Sequence, residues 1–88
     1  MDNSSEWYFN LVSNSVSRHA AERFVERVLG FDKSMLKTKR RICKVKEEIY
    51  LQTKHYLGVS GKIKVRLPDY DKFVAVIENG KVLTIMEK

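Results

Sequence analysis

With Cys43 as its only cysteine, the chain has no means of forming an internal disulfide, and a reducing compartment, the cytoplasm, is the expected setting. One cysteine and two widely separated histidines, His19 and His55, fall short of four zinc ligands, so no metal site is expected. No apolar run approaches the roughly 20 residues that cross a bilayer. The opening MDNSSEWYF also lacks the basic-then-apolar order of a secretion signal, so no membrane partner is expected. A glycine-rich phosphate loop, a nucleophile elbow and a paired-carboxylate motif are all missing, and with them the reason to expect a cofactor. Repeats, linkers and low-complexity tracts are equally absent. One domain over residues 1–88 is expected, with an N-terminal extension over 1–14 and a core over 15–88.

Acidic residues are in deficit: 11 carboxylates face 17 lysines and arginines, giving a net charge of +6 and a pI near 9.6. That balance favours a polyanionic partner, nucleic acid first, an acidic protein second and an anionic membrane surface third. The apolar fraction of 43% beside 32% charged residues is that of a folded globular chain.

The stretch Ser17–Gly30 has the strongest helical pattern. Ala20, Ala21, Phe24, Val25, Val28 and Leu29 fill one apolar arc, Ser17 is a suitable N-cap, and Gly30 can end the helix in a left-handed turn. His19, Arg23 and Arg27 recur at every fourth position and are expected to border that arc, where a groove would form. The competing reading is a solvated edge on which Glu22 and Glu26 pair with Arg18 and Arg23.

Upstream, Trp7, Tyr8, Leu11 and Val12 repeat at helical spacing, and Asn3 with Glu6 suits a capping box. A short helix packing Trp7 onto the domain is expected, with a strand as the rival. Downstream, Asp32 can cap a second helix whose arc holds Met35, Ile42, Val45 and Ile49. From Lys33 to Lys46 there are seven basic residues and no acidic one. Such a block is suited to tracking a phosphate backbone, with a plain solvated face as the alternative. Residues 49–57 alternate like a strand, although the helix could equally run on.

Ile63, Val65 and Leu67 alternate with Lys62, Lys64 and Arg66, a strand with one wet basic face. In KFVAVIENGKVLTIMEK, Asn79-Gly80 is the preferred two-residue hairpin turn. A regular register then sets Glu78 opposite Lys81 and Ala75 opposite Thr84, with both faces apolar and the hairpin covered. The expected fold is α+β: two helices packed on a three- or four-stranded antiparallel sheet, with a possible extra N-terminal helix.

These residue types suit metal-independent cleavage of RNA. The 2′-OH is its own nucleophile, and the protein need supply only a base, cations for the phosphorane and an acid for the leaving oxygen. Ser17-Arg18-His19-Ala20-Ala21-Glu22-Arg23, the basic second helix and the ending Gly80-Lys81-Val82-Leu83-Thr84-Ile85 resemble the small toxin-like domains of the barnase–colicin–RelE superfamily. That resemblance implies a two-helix, four-strand fold and an endoribonuclease, with His19 and Arg23 matching the helix motif and Thr84 the strand motif. Charge and position add Arg27 to the catalytic set, and Lys37, Arg40, Arg41, Lys44 and Arg66 as RNA contacts. Many relatives of the RelE type carry a further catalytic His or Tyr near the C-terminus. The stretch up to Lys88 has neither, so no residue is assigned as the general acid. Two alternatives stand beside the enzyme. One is an inactive phage or mobile-element protein of the same fold that binds RNA. The other is an adaptor for an acidic antitoxin or host protein.

Overall fold

Helices occupy the first part of the chain and strands the last, in a computed structural model that describes residues 3–88, with side chains from residue 6 onward. The first helix, α1, spans Asn3–Ser15, so the helical reading holds over the strand; the proposed Asn3–Glu6 cap lies outside the described residues. Trp7 is 66% exposed and does not pack on the domain. The docking side of α1 is instead set by Tyr8, whose ring meets Tyr50 edge-on at 6.1 Å, and by Val12, which is buried. A neighbour of Tyr8 in sequence is turned about 100° away from that side.

Ser17 ties the next helix to the sheet. Its Oγ accepts the Ala20 N–H (3.0 Å) and donates to the Leu83 carbonyl (2.9 Å), while its own N–H donates to the Val82 carbonyl (2.9 Å). The helix α2 runs over Arg18–Arg23 and continues as π-helix over Phe24–Leu29. Gly30 ends it at φ 74°, as expected of a left-handed cap, with its N–H on the Val25 carbonyl. The wide turns leave Leu29 exposed, although helical spacing had placed it in the buried arc.

Asp32 caps only a single 3₁₀ turn, Lys33–Met35, its carboxylate accepting the Ser34 N–H at 2.7 Å. The long helix α3 starts later, at Lys39 behind Thr38, and runs to Thr53. It thereby takes in residues whose alternation also suits a strand. Tertiary burial decides the matter: Val45, Ile49 and Thr53 recur at every fourth position under the sheet, and the Thr53 hydroxyl donates to the Ile49 carbonyl at 2.8 Å.

Strands β1 (Lys62–Leu67), β2 (Tyr70–Glu78) and β3 (Lys81–Glu87) form an antiparallel sheet in that order. The fold is α+β, with a three-stranded sheet. Asn79 and Gly80 make the hairpin turn with φ of 50° and 82°. A Cβ on Gly80 would stand 2.9 Å from the Leu57 carbonyl, so both backbone angle and space require glycine there.

One register expectation is corrected. Glu78 does face Lys81, but between Val76 and Ile77 the pairing slips, so Leu83 is an extra residue and Thr84 faces Val76, not Ala75. A one-residue bulge turns every later side chain over. Ile85 therefore enters the core beside Ala75, while Thr84 and Met86 move to the far face. The bulge also lets Ser17 use the carbonyls of two successive residues, Val82 and Leu83.

Phe24, Val25, Val45, Ile49, Leu67, Ala75, Ile77, Val82 and Ile85 form one core between helices and sheet. Phe24 meets Tyr70 edge-on at 5.3 Å; its burial contributes roughly 1.5–3 kcal/mol. The molecule measures 41 × 32 × 19 Å. Helices and sheet form two layers with the core between them. The far face of the sheet is uncovered among the described residues, against the expectation of a hairpin covered on both sides.

Candidate nucleic-acid interface

The arginines of α2 and its π-helical extension are already engaged. Arg18 pairs with Glu22 at 3.3 Å and Arg23 with Glu26, the solvated-edge pattern. Arg27 donates from Nη1 to the Ile85 carbonyl at 2.8 Å and so closes the outer edge of β3. His19 is exposed and stands opposite the arc of Ala20, Ala21, Phe24 and Val25, pointing away from the sheet. Thr84 sits on the sheet's far face. His19, Arg23 and Arg27 therefore follow one another along one helix, while Thr84 lies on the other side of the sheet.

The basic residues of α3 behave differently. Arg40 and Lys44 lie one turn apart, about 6 Å along the axis, on the pole of the helix opposite buried Val45 and Ile49. They line an open groove of ≈ 420 Å³ between α1 and α3, together with Lys39, Cys43, Glu47 and Phe9. Phe9 is 48% exposed, and its inner edge is held by Tyr8 at 5.9 Å, which in turn packs on Tyr50. The groove thus joins an apolar floor, an aromatic ring with a free surface and three cations. Among the described residues the only ion pairs are the two on the α2 helix; Glu47 lines the same groove but forms no ion pair with Arg40 or Lys44.

The remaining predicted contacts are dispersed. Arg41 lies on the flank of α3, its guanidinium donating to the Met35 carbonyl at 3.4 Å. Lys37 lines a separate shallow hollow with Arg18, Glu22 and Lys33. Arg66 is on β1, on the far face of the sheet. Lys46, counted in the basic block, is buried: its Nζ donates to the Ser13 carbonyl at 3.4 Å, and desolvation, with Lys81 and Arg18 nearby, pulls it below the usual lysine range.

Sequence reasoning missed Phe9 and Lys39 as members of the groove. Phe9 lies outside the Trp7, Tyr8, Leu11 and Val12 pattern, and that break in periodicity was the available signal.

No protein-family model matches this chain, and comparison with curated proteins and with solved structures likewise returns no significant match. No helix among the described residues is long and apolar enough to cross a membrane.

Proposed function

We propose that this chain is a small RNA-binding protein that grips a single strand along the α1–α3 groove and does not cut it. Support comes chiefly from Arg40 and Lys44, unpaired with any described carboxylate, flanking the free ring of Phe9 in one groove. Cations at one-turn spacing hold successive phosphates, and an exposed ring accepts a stacked base without regard to sequence. The resemblance of the SRHAAER and GKVLTI segments to RNase toxins agrees with an RNA partner and with an arrangement like that of RelE. The placement of Thr84 on the far face of the sheet, away from His19 and Arg23 on α2, speaks against turnover.

Titrating a fluorescent single-stranded RNA in EDTA at several salt concentrations tests this. Binding that weakens with log salt at a slope of about −0.7 per phosphate contact, and drops on Phe9→Ala, is expected. Salt-independent or absent binding overturns the proposal. EDTA-resistant cleavage that His19→Ala abolishes reinstates the nuclease. Nuclease-resistant capture of an acidic protein, with no RNA bound, favours the adaptor.

A further inference from the structure

The uncovered face of the sheet carries a second set of cations. Alternation along β1 places Lys62, Lys64 and Arg66 on that face, and alternation along β2 adds Lys72 beside Val74 and Val76. The one carboxylate in these rows, Glu78, stands between Lys62 and Lys81 in register and offsets charge only there. Lys64, Arg66 and Lys72 have no ion-pair partner among the described residues.

The floor between them is low and apolar: Val76 is buried, Val74 and Thr84 half-buried, and Met86 37% exposed. Met86 is the one long apolar side chain that rises from these rows, too little to anchor in a bilayer or fill a protein pocket. Alternate residues of a strand stand about 6.6 Å apart, close to the span of one nucleotide in an extended chain. Lys62, Lys64 and Arg66 therefore form a straight row spaced for successive phosphates. This row lies on the outer face of the sheet, whereas the Arg40–Lys44 pair is on the side of α3 turned away from buried Val45 and Ile49.

Building on the RNA-binding reading above, we propose that the outer sheet face is a second RNA-backbone site. One molecule then holds two separate RNA segments, one at each site, and draws them within the span of the domain. The two sites differ in kind. The groove has a ring for a base, whereas the sheet offers cations over a smooth floor and contacts the backbone alone.

Two RNA oligomers of about five nucleotides, one with a donor and one with an acceptor dye, provide the test, because each spans about 33 Å at that spacing and fits within one face of a body 41 × 32 Å across. Energy transfer is expected on adding the wild-type protein, with sedimentation giving one protein and two RNAs per particle. The exposed double variant Lys64→Glu/Arg66→Glu should abolish transfer and reduce the stoichiometry to one, while affinity for the first oligomer stays within about threefold at moderate salt. Circular dichroism confirms that this variant folds. Transfer that survives in the variant, a wild-type stoichiometry of one, or particles holding two proteins with one RNA each overturn the second site and leave the groove standing. Failure of the wild type to bind either oligomer overturns the groove as well.

Discussion

Two helices in this molecule carry basic stripes, and the stripes do opposite things. On the helix of residues 18–29 every arginine has a partner within the fold: Arg18 has Glu22, Arg23 has Glu26, and Arg27 has the Ile85 carbonyl. On α3, Arg40 and Lys44 have no ion-pair partner among the described residues and stand over a groove with an exposed aromatic ring. A cation already neutralised or spent on a backbone acceptor has little left for a ligand, while an unpaired one retains its full field. Charge count alone makes the two helices look alike; partner accounting separates them.

The largest effect should come from reversing the unpaired stripe. Arg40→Glu with Lys44→Glu is expected to weaken RNA binding by about a hundredfold at low salt, read by fluorescence anisotropy, with the thermal midpoint nearly unchanged. An equal loss from Arg18→Glu with Arg23→Glu would erase the distinction between the helices. Next is the joint that anchors the paired stripe. Ser17→Ala removes both the Ala20 cap and the bond to the Leu83 carbonyl, and should cost about 1–2 kcal/mol in urea unfolding.

Within the paired stripe, Arg27→Gln should cost about 1.5 kcal/mol, because a charged donor to a sheet-edge carbonyl is lost. Arg23→Gln, which breaks only a surface pair, should stay below about 0.5 kcal/mol. His19→Ala should change neither stability nor RNA affinity beyond about 0.5 kcal/mol, the scale of an exposed site without a partner.

Lys46 sharpens the contrast from inside α3, as the one cation of that block withdrawn from water. Burial lowers its pKa in the fold, so the unfolded chain binds the extra proton between the folded and the ordinary lysine values. Its contribution is therefore unfavourable at neutral pH, and it is relieved as pH rises through that window. Stability of the wild type relative to Lys46→Met should climb over the same window in urea titrations. A flat difference would show that Lys46 is solvated.

Much of the chain was legible where one residue type answers a local backbone demand. Ser17 and Gly30 bound the helix as their chemistry requires, and Asn79-Gly80 turn the hairpin with positive φ. The basic face of β1 is equally plain in the alternation of Lys62, Lys64 and Arg66. Asp32 and Thr38 show where local signals compete. Both are good caps: Asp32 starts a single turn that leads into buried Leu36, and the long helix starts behind Thr38. Residues 49–53 satisfied strand and helix patterns together, and burial of Ile49 and Thr53 chose between them.

Composition, caps, turns and alternation were decided by the amino-acid sequence itself, since each depends on a residue and its near neighbours. Those same signals imply the α+β class and the excess of positive charge. Which cations stay free, and which face Thr84 occupies, depended on contacts between distant segments. The slip at Leu83 illustrates this: one extra residue brings Ile85 into the core, offers two carbonyls to Ser17 and turns Thr84 outward, away from His19. No periodicity within β3 announces such a slip, because its energy comes from the core and from a serine 66 positions earlier in the chain.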